Sequence, residues 1–152
     1  MVSILLEKLK NDTWFIENSL FRAIKNNQQN IVNLFIEQSG LDFRDVQTSG
    51  GQGLTGGQTP LHVAVTTKNV ELVKSCIGLC DIDSTDSDGN TALHLAAYQK
   101  GDCIEIVKLL VDNGAKVDLQ NKKKETPYRR ASSSLDWTND EVKNFLKQFE
   151  KK

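Results

Sequence analysis

A chain of 152 residues with 38% hydrophobic content is sized for one domain, and its formal net charge of −1 offers no general attraction to nucleic acid or to an anionic membrane. No stretch reaches the ~20 apolar residues of a membrane-spanning helix, and the start lacks the cationic-then-apolar order of a signal peptide. The expected setting is therefore cytoplasmic, with the nucleus also open.

In chain order, Ile4-Leu5-Leu6 with Leu9, then Trp14-Phe15-Ile16, reads as a short helix, so residues 1–17 are expected to close one end of the domain. Leu20-Phe21-Arg22-Ala23-Ile24 and Ile31-Val32-Asn33-Leu34-Phe35-Ile36 supply two more apolar helical faces. A glycine-rich run, Ser49-Gly50-Gly51-Gln52-Gly53-Leu54-Thr55-Gly56-Gly57, reads as a flexible loop. Thr59-Pro60-Leu61-His62-Val63-Ala64 then opens a helix, with threonine as N-cap and proline at the first helical position, where its missing N–H costs nothing. Val70, Leu72, Val73 and Ile77 mark the helix that follows. Asp86-Ser87-Asp88-Gly89-Asn90 turns the chain, with Gly89 supplying positive φ.

The opening hexamer returns 32 residues on as Thr91-Ala92-Leu93-His94-Leu95-Ala96, followed by a helix carrying Ile104, Ile106, Val107, Leu110 and Val111 and ended by Gly114. The two-residue extension Gly101-Asp102 lengthens the turn between these helices. A third, altered copy, Thr126-Pro127-Tyr128-Arg129-Arg130-Ala131, keeps Thr, Pro and Ala but puts Tyr128 for Leu and Arg129 for His. Thr138-Asn139-Asp140-Glu141 has capping-box form, and Val142, Phe145, Leu146 and Phe149 lie on one face of a last helix. Trp14 and Trp137 are expected to pack within the two ends.

A block recurring at about 33 residues with a T-P-L-H-x-A core resembles the ankyrin repeat, a turn followed by two antiparallel helices that bury their apolar faces only against neighbouring units. The resemblance implies an all-α ankyrin-repeat solenoid of about four helix-turn-helix units with finger loops. Repeat 1 is expected over 18–57 with the glycine-rich finger insertion, repeat 2 over 58–90, repeat 3 over 91–125, and a degenerate repeat 4 with a C-terminal cap helix over 126–152. Within that class the second and third units resemble the middle repeats of the inhibitor-of-NF-κB (IκB) branch. A stack this short, lacking an Asp-Ser-Gly-x-x-Ser degradation signal and an acidic tail, is similar to the viral IκB-like vankyrins of polydnaviruses.

That resemblance implies a non-enzymatic binding protein whose partner is a Rel/NF-κB-type transcription factor, held off DNA so that immune signalling is suppressed. The alternative is a generic adaptor or effector recruiting another host protein, such as a kinase or ubiquitin-ligase component. Contacts are expected from positions before each Thr and after each Ala-rich helix: Gln58, Thr66, Thr67, Ser87, Asp88, Asn90, Tyr98, Gln99, Lys122, Lys123 and Glu125. Tyr98 is the favoured hot spot, since tyrosine brings large contact area at small entropic cost. Homodimerisation through an imperfect cap is also open.

Catalytic and ligand-binding signatures are missing: there is no Walker loop, no Gly-x-Ser-x-Gly elbow and no His-Glu-x-x-His. No catalytic, cofactor-binding or metal-binding residue is expected. His62 and His94 are read as structural, with ring N–H groups tying neighbouring turns together. Asp81, Asp83, Asp86 and Asp88 lack the bidentate glutamate of a calcium loop and read as a solvated turn. Cys76, Cys80 and Cys103 are odd in number and read as small hydrophobes without disulfides. Lys122-Lys123-Lys124 reads as a solvated basic tip, with Lys124 in the place of Gly89. Arg129-Arg130-Ala131-Ser132 resembles the substrate pattern of basophilic kinases, which makes Ser132 a candidate phosphorylation site, the alternative being an ordinary serine-rich linker.

Overall fold

Thr59, Thr91 and Thr126 take extended backbone, with ψ of 167°, 168° and 165°, and the chain turns helical at the next residue. The computed structural model describes residues 13–38, 43–44, 46–48, 56–99, 101, 103–133 and 140–150. Among them are eight helices: α1 (Thr13–Lys25), α2 (Gln29–Gln38), α3 (Pro60–Thr67), α4 (Val70–Cys76), α5 (Ala92–Tyr98), α6 (Ile104–Asp112), α7 (Pro127–Ser132) and α8 (Asp140–Lys147). The only extended pairing among the described residues is an isolated bridge between Ile77 and Cys80.

Consecutive helices pair, α1 with α2, α3 with α4, α5 with α6 and α7 with α8. The first members pack side by side in the order α1, α3, α5, α7, and the second members form a parallel row in the order α2, α4, α6, α8. Leu20, Leu61 and Leu93 occupy one repeat position and are buried, as are Ala23, Ala64, Ala96 and Ala131, whose small side chains let adjacent helices approach closely. Leu72, Ile106, Leu110 and Leu146 fill the second row. Each such side chain contributes roughly 1.5–3 kcal/mol, more than an exposed ion pair such as Lys74–Glu71 supplies.

Nothing in the sequence between Thr13 and Lys25 breaks a helix, and α1 runs unbroken from one to the other. α8 takes the second-row place beside α7, so the last two helices form a fourth pair. Val142 and Leu146 carry its burial, while Phe149 stays 38% exposed with its ring edge-on to Phe145. Ile4, Leu5, Leu6 and Leu9, the side chain of Trp14, and Trp137, Thr138 and Asn139 lie outside the described residues.

Helix ends follow local chemistry. Gly114, at φ +93°, closes α6: its N–H reaches Val111 O and the N–H of Ala115 reaches Leu110 O, a Schellman motif that needs the left-handed backbone. Asn27 closes α1 in the same way, with its N–H on Ile24 O and that of Gln28 on Ala23 O. Asn69 caps α4, accepting from the N–H groups of Glu71 and Leu72 at 3.0 and 3.2 Å.

Candidate partner-binding surface

The finger loops are held by a buried polar ladder rather than by a sheet. Asp86 Oδ1 accepts from the N–H groups of Asp88 and Asn90 at 2.9 and 2.8 Å, which shapes the second finger. In the third, Asn121 Oδ1 accepts from those of Lys123 and Glu125 at 2.9 and 3.0 Å. Asn121 Nδ2 donates across to Asn90 Oδ1, 3.0 Å away, and Asn90 Nδ2 to Asp86 Oδ2, 3.3 Å away, so one finger is bolted to the next. Backbone bonds continue the row, from Ser87 N–H to Gly56 O and from Lys122 N–H to Asp88 O, both at 3.0 Å.

His62 and His94 tie this ladder to the helices. The N–H of Thr59 donates to His62 Nδ1 at 3.2 Å, and the Thr59 hydroxyl lies 2.8 Å from the same nitrogen. Thr91 and His94 repeat the arrangement at 3.1 and 2.9 Å. With Nδ1 accepting, the ring proton sits on Nε2, which donates at 2.9 Å to Asn90 O from His62 and to Glu125 O from His94. Burial pushes both imidazoles below the ordinary value of 6.5, against the opposing pull of those carbonyls. Both side chains are therefore neutral cross-links between repeats, in the structural role their position predicts. Arg129, at the same position in the last pair, is exposed.

The acidic turn is likewise occupied. Asp81 Oδ1 accepts from Asp83 N–H at 3.0 Å, and Asp83 takes Lys116 through its backbone N–H at 2.9 Å and its ammonium at 3.2 Å. No group of three or more His, Cys, Asp or Glu side chains placed to hold a metal occurs among the described residues. Cys76, Cys80 and Cys103 are buried thiols, and burial, reinforced by neighbouring Cys80, pushes the Cys76 thiol up to about 12.

Most residues expected to meet a partner are displayed together. Thr66 and Tyr98 share one repeat position at the C-terminal ends of α3 and α5 and are exposed, with Thr67 and Gln99 half-buried beside them. Ser87, Asp88, Lys122 and Lys123 are exposed on the finger tips, where Lys122 Nζ donates to Ser87 O at 2.6 Å. Gln58 and Asn90 differ: at 6% and 3% exposure they face inward, because the residue before each threonine closes the base of a finger. Gln58 does so through its backbone, with its N–H on Thr48 Oγ1 at 3.0 Å and its carbonyl taking the N–H of Thr48 at 2.9 Å. Glu125 is half-buried, its Oε2 accepting from Asn121 Nδ2 at 3.1 Å and Arg130 Nη1 at 3.3 Å, bonds that hold its carboxyl below the usual range.

Tyr98 is 45% exposed, the largest aromatic surface on the first-helix row among the described side chains. The Arg130 guanidinium lies 4.4 Å from its ring centroid, and Arg130 Nη1 pairs with Glu125 Oε2 at 3.3 Å. The ring is thus held by a cation on one face, a contact worth ~0.5–1 kcal/mol, while its remaining surface stays open. The part played by Arg130 was not foreseen from sequence. The Asp86/Asn121 pair, each five residues before a repeat threonine, was the readable trace of the ladder.

No described helix is long and apolar enough to cross a membrane. The family model for ankyrin repeats (3 copies) matches residues 20–121. Among curated relatives, the probable 26S proteasome regulatory subunit p28 of Saccharomyces cerevisiae is 36% identical over 80 residues, covering 51% of this chain and 34% of the yeast protein. A putative ankyrin repeat protein of Rickettsia bellii is 46% identical over 63 residues, 41% of this chain and 38% of its own length. Protein fem-1 homolog A of Rattus norvegicus is 33% identical over 93 residues, covering 52% of this chain and 14% of the rat protein. The chain spans well under half the length of each of these proteins. Since the repeat model accounts for most of the sequence and the helix pairs stack as repeats do, the chain belongs to the ankyrin-repeat family.

Proposed function

We propose that this chain is a protein-recognition module that holds one protein partner against the finger tips and the C-terminal ends of the first-row helices, with Tyr98 at the centre of the contact. The observation that carries this reading is the Tyr98–Arg130 stack: a tyrosine 45% exposed, yet held by a guanidinium 4.4 Å from its centroid. An exposed ring costs an isolated domain solubility. Held rigid, it lowers the entropy lost on docking, which is the property of an anchor residue. Thr66, Ser87, Asp88, Lys122 and Lys123 form the polar rim.

The finer reading is an IκB-like inhibitor that sequesters a Rel/NF-κB-type transcription factor in the cytoplasm, supported by the likeness of the second and third repeats to that branch. Recruitment of another protein as an adaptor is the alternative. Ser132 is the proposed modification site, an exposed hydroxyl at the end of α7 that donates to Tyr128 O at 2.9 Å, with the Arg129-Arg130 pair just before it in sequence.

Affinity capture from lysate with mass spectrometry tests the module. Wild-type chain is expected to retain a partner in stoichiometric amount that Tyr98→Ala loses and that Lys74→Glu, on the second row, keeps. Equal retention by both variants would refute the proposed surface. Recovery of a Rel protein would favour the inhibitor; recovery of kinase or ligase subunits alone would favour the adaptor. Sedimentation of the free chain separates one-to-one capture from homodimerisation.

A further inference from the structure

The third finger departs from the second in a way that opposes folding. Gly89 turns the second tip at φ +76°, and Lys124, in the same place two residues before the repeat threonine, takes φ +62°, a left-handed backbone that a lysine adopts only under strain. A side chain is nonetheless accommodated there. A Cβ on Gly89 would stand 2.9 Å from Lys122 N of the next finger. The equivalent side chain of Lys124 leaves on the same side, where no further finger stands among the described residues.

Arg129 projects toward that end too. It holds the repeat position from which His62 and His94 reach the next finger, and with no finger beyond it the side chain is exposed. Lys122, Lys123, Lys124 and Arg129 are all exposed, and none has a carboxylate within ion-pair distance among the described residues. Glu125, the acid closest to them in sequence, pairs with Arg130, and Lys123 acts on it at longer range. A chain of net charge −1 therefore gathers four exposed cations at one end of its finger row, beside two carboxylates: Glu125, and Glu150, whose Oε1 accepts from the Thr126 hydroxyl at 2.9 Å.

Resting on the reading of this protein as a recognition module, we infer that the third finger and Arg129 form a docking site for a short acidic segment of the protein partner, rich in Asp or Glu. The field is confined to one end. Exposed Asp88 stands one finger away, its carbonyl bonded to Lys122 N–H, and exposed Asp81 lies earlier in the same loop. A long polyanion such as duplex nucleic acid following the finger row would meet these carboxylates, whereas a few consecutive acidic side chains would not. With a screening length of ~8 Å in physiological salt, the attraction acts only at the contact.

Fluorescence anisotropy of a fluorescein-labelled hexaglutamate peptide with the full chain tests this. Saturable binding is expected, weakening as salt rises, with about a tenfold loss in the Lys123→Glu/Lys124→Glu double variant and no loss in Lys147→Glu on α8. Lys124→Gly separates charge from structure: it is expected to raise Tm while weakening the peptide about threefold, whereas a lysine with no part in binding would change Tm alone. Absence of saturable binding, equal binding by the charge-reversed and wild-type chains, or tighter binding to duplex DNA or phosphatidylserine vesicles would overturn the inference. Retention of a captured partner by the double variant but not by Tyr98→Ala would leave the recognition module standing and remove only its acidic-segment chemistry.

Discussion

The histidine cross-links make stability depend on pH in a window where few other groups titrate. In the folded chain His62 and His94 accept at Nδ1 from Thr59 and Thr91 and donate from Nε2 to carbonyls of the next finger. A second ring proton would remove the acceptor and leave a buried cation, so the folded pKa of each lies below 6.5. Above pH 6.5 both states are neutral and the stabilisation is complete. As pH falls below 6.5 the unfolded chain binds protons first, and stability declines until the pH has passed through the depressed folded values. Each histidine contributes a slope of up to about 1.4 kcal/mol per pH unit, and the two together up to about 2.7. Urea unfolding followed by far-UV circular dichroism at pH 7.5, 6.5 and 5.5 is expected to show little change over the first interval and a clear loss over the second. His62→Gln lowers stability throughout but should roughly halve the slope. A flat profile between pH 7.5 and 5.5, or an unchanged slope in that variant, would refute the buried neutral cross-link.

Gly89→Ala is expected to destabilise by about 2 kcal/mol, from left-handed strain and the close approach of Lys122 N, lowering Tm by about 4–8 °C in a thermal melt. Lys124→Gly relieves the corresponding strain and, after the added freedom of the unfolded chain, should stabilise by about 0.5 kcal/mol. The opposite sign for either substitution would contradict the equivalence of the two finger tips. Cys76, buried and raised to about 12 from 9, carries about a thousandfold less thiolate than an ordinary cysteine. It should resist Ellman's reagent at pH 8 until the chain is unfolded in urea, and rapid native labelling mapped to Cys76 would contradict its place in the core.

What was legible in the sequence was whatever repeats. Thr59 and Thr91 with His62 and His94 announce their helix starts and cross-links because the same hydrogen bonds are made twice by the same residue types. The positive φ of Asn27 and Lys68 was not legible, since neither position carries glycine. Asn90 was expected to reach outward, yet a polar residue before a repeat threonine satisfies buried donors within its own finger. The stack of Arg130 on Tyr98 joins residues from two different repeats, and local pattern gives no account of such a pairing. The place of α8 in the second row was hidden because its sequence follows no repeat and declares only that one face is apolar.

The central claim is that partners are held on the finger and first-row surface centred on Tyr98. Photo-crosslinking in lysate, with a benzophenone side chain placed at Tyr98 and separately at Lys74 on the second row, tests it most directly. One dominant adduct from position 98 and none from position 74 is the predicted result; adducts from position 74 alone, or in equal yield from both, would contradict it.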